Sequence, residues 1–438
     1  IRGQREAMER LGIGPNAILL VGHGEVRRRV MGDDYRRPAT PEEIARMRAL
    51  VRQGMQEGAW GLSAGLEYVP GRWSTTDEVV ALAEEIAPYR GVYISHERSE
   101  GSDPMWYWPS QDEPGPPTLI DAIQETIEIG ERSGAIVVAS HIKAKGAHYW
   151  GSGRAAIQLI ESARAHGVEV YADQYPYATT GSDGNTVLLP DWVFRSEDGE
   201  RGGRDSRPDY ASRLRAVLAD SATAARLRQD IAHEIRRRGG AAKVIVFDYP
   251  DSSFIGKSIG ELAEARGISP VEMAIALQLE GYPDRRGGAR ARGFSLSEID
   301  IEMYAAMPWV ATATDGGIAL PEDGPSTHAR FYGTFPRKIH RYAIERGVID
   351  VTDAIRSSTS LPAQILGLDD RGTIRLSAVA DLVIFDLETI RDRATFFEPH
   401  QYPDGIHHVL IGGEAVVSDG QPTGALPGKV LTIQQYRD

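Results

Sequence analysis

Three stretches of this sequence end an apolar run in a residue that can do chemistry. Gly91-Val92-Tyr93-Ile94-Ser95 delivers His96, and Glu97-Arg98-Ser99-Glu100 follows at once. Ala135-Ile136-Val137-Val138-Ala139-Ser140 delivers His141, followed by Ile142-Lys143. Trp309-Val310-Ala311-Thr312-Ala313-Thr314 delivers Asp315, followed by Gly316-Gly317. One histidine at a strand end is usually a hydrogen-bonded structural residue. Two in the same Ser-His context point to metal ligation, because neutral imidazole binds zinc and a catalytic zinc keeps one position open for water. Water activated in this way ionises near neutral pH and attacks a carbonyl carbon. A general base must then take the proton and return it to the leaving nitrogen. Asp315, at a strand end beside two glycines, suits that role; its plainer reading is a turn or cap aspartate.

A carboxylate-bearing substrate also needs a cation, supplied by Arg as a two-pronged pair or by Lys as a point charge. Lys143, Arg98 and Arg330 lie near the ends of these segments. Arg98 has a ready alternative in an ion pair with Glu97 or Glu100. Tyr68, Tyr175 and Tyr177 are candidate phenol donors, and each alone is equally a packing residue. Residues 102–117 read as a loop over the mouth of the site, with Trp106, Tyr107 and Trp108 packing either on substrate or on neighbouring loops.

Such residues are positioned by repeated strand–helix alternation. Strand-like runs at Ala17–Val21, 61–66, 91–96, 135–140, 168–172, 243–247 and 309–314 are separated by helical patterns with clear starts. Thr40-Pro41-Glu42-Glu43 and Thr75-Thr76-Asp77-Glu78 pair an N-cap hydroxyl with first-turn acids. Gly22-His23-Gly24 reads as a tight turn after the first strand. Residues 183–207 read as a loop excursion, and helices follow at 210–218, 223–238, 338–346 and 351–358. This alternation argues for a parallel sheet, here preferred as an α/β barrel over an open doubly wound sheet, with strands that converge on the site at their C-terminal ends. From about Gly372 short strands and turns replace it, including a Gly412-Gly413 hairpin turn. The expected division is a barrel over 1–367, lacking its first strands, and a small β-domain over 368–438.

The 438 residues are 25% charged and 41% hydrophobic, ordinary for a water-soluble globular chain. A net charge of -13 argues against a nucleic-acid or anionic-membrane surface. No run of about 18 apolar residues marks a membrane span. Cysteine is absent, which removes disulfides and thiolate ligands from this chain and fits a reducing, cytoplasmic location. No glycine-rich nucleotide motif and no internal repeat is visible.

In combination, the motifs resemble the N-acyl-D-amino-acid deacylases (D-aminoacylases) of the amidohydrolase superfamily. They are Gly22-His23-Gly24, Gly61-Leu62-Ser63 to Pro70-Gly71, Tyr93 to Glu100, Ser140 to Lys143, Asp173-Gln174-Tyr175-Pro176-Tyr177, Thr314-Asp315-Gly316, His328-Ala329-Arg330 to Arg337, and Ala380-Asp381-Leu382-Val383 to Asp386. The resemblance covers nearly the whole chain in the family's order. It implies a distorted (β/α)8 TIM-like barrel with a small β-sandwich domain, His96 and His141 as ligands to one or two Zn2+ ions, and Asp315 as the catalytic acid/base. It further implies Lys143, Arg330, Tyr68 and Tyr175 around the substrate carboxylate and scissile carbonyl of an N-acyl amino acid or related amide. The family's His-x-His pair and cysteine ligand precede its Gly-His-Gly motif, so these are expected in a missing N-terminal segment, as a companion chain or cleaved piece. Two alternatives stand beside this one: a cyclic-amide hydrolase of the hydantoinase or dihydroorotase kind, and a non-catalytic amidohydrolase-like subunit.

Overall fold

The computed structural model describes residues 1–181, 185–194 and 209–437. Its centre is a parallel sheet of β1 (Val21–Gly22), β2 (Gly61–Gly65), β3 (Val92–His96), β4 (Ile136–Ala139) and β5 (Val170–Gln174). After an insertion carrying β6 (Val244–Asp248) and β7 (Arg290–Gly293), the sheet is completed by β8 (Val310–Thr312). Strand order is β1-β2-β3-β4-β5-β8, so each strand lies beside the next one in the chain that joins the sheet. Helices Pro41–Gln56, Thr76–Ala83, Leu119–Ser133 and Gly153–Ala165 fill the successive connections, and Glu298–Ala305 leads into β8. This is the wall of a distorted (β/α)8 barrel, open among the described residues between β8 and β1.

The local reasons are the expected ones. Thr40 and Glu43 form a reciprocal capping box with Pro41 in the first turn, and Thr118 with Asp121 forms another. Gly134, in the left-handed region at φ 71°, closes the second of these helices. All four residues of β4 are buried, as in a sheet covered by helices. Leu62, Tyr93, Val137, Val170 and Val310 from the strands share one core with Met47, Leu82 and Ile123 from the helices. Pairing of Gly65 with His96, of Ala139 with Ser95 and Ala172, and of Gln174 with Thr312 brings the C-terminal strand ends level. Among the described residues no helix is long and apolar enough to cross a membrane.

Several expectations are corrected. Of the run Ala17–Val21 only Val21 joins the sheet, because Ala17 is diverted into backbone hydrogen bonds with Lys429 and Leu431 near the C-terminus. Gly22-His23-Gly24 is not a turn: Gly22 is the N-cap and His23 the first residue of helix His23–Met31. That helix buries His23, Val26, Arg27 and Met31, and the Arg27 guanidinium is held by Glu78 and the carbonyls of Tyr35 and Arg37. The run 243–247 is strand β6, but it pairs antiparallel with β7 outside the main sheet. Helices Tyr210–Ala219, Ser221–Arg237, Ile259–Arg266 and Pro270–Glu280 pack there around a separate core that includes Leu214, Leu227, Val246 and Met273. The excursion expected over 183–207 lies outside the described residues except for 185–194, where Asp191–Phe194 forms a short 3-10 turn. Residues 330–337 are already helical; Pro336 lies within that helix, which widens into a π-helix from Lys338 to Glu345.

The chain ends in a four-stranded antiparallel sheet of β9 (Leu382–Phe385), β10 (Ile406–Ile411), β11 (Glu414–Ser418) and β12 (Gln421–Pro422), in the order β12-β11-β10-β9. None of its strand residues is buried.

Candidate active site

The level ends of β2, β3, β4, β5 and β8 open into one cleft. It is lined by Glu67, Tyr68, His96, Glu100, His141, Lys143, Tyr175, Asp315 and Arg330 among others. Of the residues singled out in the sequence, His96, His141, Asp315, Lys143, Arg330, Tyr68 and Tyr175 all reach this cleft. Arg98 does not: its guanidinium is taken by Glu125 at 2.7 and 2.8 Å, rather than by Glu97 or Glu100. Tyr177 does not either, packing edge-on against His328 under Arg337. Trp106 and Trp108 line the cleft with Arg72 and Arg237 over their rings, whereas Tyr107 packs against His233.

His96 and His141 meet at the centre, with His96 Nδ1 3.0 Å from His141 Nε2. Glu100, four residues past His96, completes a cluster of three groups able to hold a metal. Its Oε1 lies 3.6 Å from His96 Nδ1 and 3.3 Å from His141 Nδ1. Two nitrogens bound to one ion at about 2.0–2.1 Å in tetrahedral geometry stand about 3.3 Å apart, so the imidazole pair fits a shared cation. Two imidazoles with a carboxylate suit a divalent ion of the zinc type.

The electrostatics favour the ligand forms. Burial, aided by the charge of Lys143, holds the His141 imidazole well below its usual range, so it is neutral. Burial works to raise the Glu100 carboxyl, but Lys143, His96, Lys145 and His141 around it hold it well below the usual carboxylate range. Lys143 is ion-paired to Glu100 and lies 2.6 Å from His141 Nδ1. Its pKa is pushed up by Glu100 against the effect of burial, so it is charged. Desolvation pushes the phenols of Tyr68 and Tyr175 up, leaving both as proton donors. The Arg330 guanidinium lies 4.5 Å from the Tyr175 ring centre, and its Nη1 pairs with Asp315 at 2.9 Å.

Two residues hold unusual backbone conformations. His141 (φ 41°) and Asp315 (φ 44°) lie in the left-handed region, which side-chain-bearing residues rarely enter and which is retained where the surroundings enforce it. At His141 the enforcing group is Asp173, which accepts the His141 backbone N–H at 2.6 Å and the Ser140 hydroxyl at 3.0 Å.

Sequence reasoning missed three contributors. Glu100 and Glu67 lie inside two of the motifs behind the resemblance but are assigned no role at the site, because they sit in charged segments after strands. His328, fully buried, accepts the backbone N–H of Arg330 at Nδ1 (3.0 Å) while its Nε2 faces the Thr179 carbonyl (3.2 Å), which fixes the start of the Arg330 helix.

The amidohydrolase family model matches residues 210–417. The D-aminoacylase of Alcaligenes xylosoxydans xylosoxydans is 31% identical over 416 residues, 95% of this chain and 70% of that protein. A solved D-aminoacylase with a binuclear metal centre superposes with a TM-score of 0.69 at 29% identity, over 98% of this chain and 74% of the other. The N-acyl-D-glutamate deacylase of Bordetella bronchiseptica, solved with zinc and a phosphonate mimic of the tetrahedral intermediate, gives 0.68 at 26% identity over the same shares. On its sequence, its fold and its His/Glu/His cluster, the chain belongs to the D-aminoacylase family of the amidohydrolases.

Proposed function

We propose that this protein hydrolyses the amide bond of N-acyl-D-amino acids, or of related amides and dipeptides, using zinc held by His96 and His141 with Glu100 beside them. The observation that carries the reading is the pair of imidazole nitrogens 3.0 Å apart at adjacent strand ends, with the Asp315–Arg330 ion pair lining the same cleft. When bound, zinc supplies a Lewis acid that polarises a carbonyl and makes water acidic near neutral pH.

The remaining work falls to the protein's own groups. Asp315 accepts the proton of the attacking water at a carboxylate oxygen and returns it to the amide nitrogen as that nitrogen leaves. Arg330 orients Asp315 and offers its other edge to the substrate carboxylate. Lys143 contributes positive charge from beneath, held by Glu100. Tyr68 and Tyr175, protonated at neutral pH, donate hydrogen bonds to the carboxylate and the scissile carbonyl oxygen. The opening between β8 and β1 supports a further reading. A companion chain fills it and brings further ligands for one or two metals.

Release of free D-amino acid from N-acetyl-D-amino acids is measured for native, chelated and zinc-restored protein, with cyclic ureides in parallel. Hydrolysis of the N-acetyl substrates that chelation abolishes and zinc restores is the expected outcome. Turnover of the ureides alone transfers the site to cyclic amides, and activity indifferent to chelation removes the metal from the reaction. Gel and intact-mass analysis of the native preparation tests the companion: a single band of this chain, with stoichiometric zinc and full activity, removes it.

A further inference from the structure

The carboxylate of Glu67 lies two residues beyond the end of β2, and it is 2% exposed. Both of its oxygens are engaged, by partners of different kinds. Oε2 is 2.9 Å from His96 Nε2, and Oε1 is 2.6 Å from the backbone nitrogen of Met105, in the loop over the cleft. An ionised carboxylate only accepts. The His96 proton must therefore sit on Nε2, which leaves the Nδ1 lone pair aimed at His141 Nε2, the side on which a shared metal would lie.

The loop reached through Met105 is also anchored by the inserted helical unit. Arg237, at the end of helix Ser221–Arg237, donates to Asp103 at 3.1 Å, to the Pro104 carbonyl at 2.8 Å and to the Tyr107 carbonyl at 3.3 Å. Asp230 on the same helix accepts from the Ser110 nitrogen at 3.0 Å and its hydroxyl at 2.6 Å. The loop thus hangs between a metal-facing histidine and the insertion, with Glu67 as the joint.

We infer that Glu67 is a positioning residue that fixes which nitrogen of His96 faces the metal and couples that choice to the order of the loop. This rests on the proposed metal site. A residue needed merely to anchor Met105 would serve equally well as glutamine, whose amide oxygen accepts one hydrogen bond. The joint requires acceptors on both sides, and glutamine has only one: satisfying Met105 turns its NH2 group toward His96 Nε2. That favours the tautomer with the proton on Nδ1, the wrong nitrogen for the metal.

The test compares wild type, Glu67→Gln and Glu67→Ala. Zinc affinity of each metal-free protein is read by competition with a chromophoric chelator. The His96 tautomer is read from 15N shifts of histidine-labelled protein, and loop order from amide exchange at Met105. The expected result is roughly 10–100-fold weaker zinc binding in Glu67→Gln. Metal-free wild type should carry the His96 proton on Nε2, and zinc should slow exchange at Met105 in wild type but not in Glu67→Gln. Glu67→Gln that binds zinc within twofold of wild type overturns the inference. If the variants fail to fold, the wild-type tautomer still decides: a proton on Nδ1 in the metal-free protein overturns it. Wild type that binds no zinc defeats the proposed function itself, whereas wild type that binds zinc and hydrolyses substrate while Glu67→Gln matches it defeats only this inference.

Discussion

Asp315→Asn separates acid–base work from every other task at the site. Asparagine keeps the shape of the side chain and tolerates the left-handed backbone (φ 44°) better than most residues, so the loop geometry survives. The lost charge leaves Arg330, 3% exposed, without its partner, but the Asp315 carboxylate is 38% exposed and water can replace it. Breaking a fully buried pair costs about 3–5 kcal/mol, and a solvated one about 1 kcal/mol or less. The stability loss should sit near the lower figure, a fall in Tm of about 2–4 °C or less. Zinc binding should be unchanged, because Asp315 is not in the His96–Glu100–His141 cluster. Removing a positioned general base lowers the rate about 10²–10⁴-fold, or about 2.7–5.5 kcal/mol in barrier height. Steady-state kinetics on an N-acetyl-D-amino acid, with calorimetry and metal analysis of the same preparation, separate the three quantities. An Asn variant within a few-fold of wild-type kcat, with normal zinc content, would remove Asp315 from the chemistry. A variant that loses its zinc would show that the cleft is organised differently.

His141→Asn, which also tolerates the left-handed backbone but is too short to reach the centre, should lose zinc and activity together while Tm moves only a few degrees; retained stoichiometric zinc in metal analysis counts against the ligand assignment. Lys338→Met should stabilise the protein. Burial alone holds the Lys338 ammonium, which has no hydrogen-bond partner among the described residues, down to about 8. A base with a folded pKa below its unfolded value destabilises the fold while charged, so at pH 7 the Met variant should gain up to about 3 kcal/mol. That gap should close as pH rises from about 8 through 10.5; urea unfolding at pH 7 and pH 10 checks it, and a gap that does not narrow refutes the cause. Leu62→Ala, at a fully buried position of β2, should cost about 2–5 kcal/mol in urea unfolding without altering zinc affinity.

The parts of this structure that could be read in advance are those where local chemistry and tertiary role coincide. Strands β3 and β4 announce themselves because an apolar run stops at a polar residue where the sheet meets the cleft. The helices at Pro41 and Leu119 do so because their capping residues are spent on their own backbone. The failures have the opposite character. Helix His23–Met31 is masked by three consecutive arginines, one of which is buried only because Glu78, far along the chain, receives it. The start of the Arg330 helix is masked by Pro336, whose missing N–H is absorbed where the helix widens. The antiparallel pairing of β6 depends on β7, some forty residues later, and no local pattern encodes it. At the site, the histidines, Asp315, Lys143, Arg330, Tyr68 and Tyr175 were legible as candidates, because each ends a strand or belongs to a motif. Glu67 and Glu100 were not, since a buried acid in a charged loop looks like any solvated one until its partners are known.

The terminal antiparallel sheet has a consequence for how the molecule comes apart. Its strands β9 to β12 bury no residue fully, whereas β4 is buried throughout. Free energies of local opening follow such differences, so the C-terminal strands should exchange their amide protons and yield to proteases well before the central sheet does. Heating would then dismantle the protein in stages. A single melting temperature would report the last stage, and probes placed in the terminal sheet and in the central sheet should disagree about when the protein is unfolded.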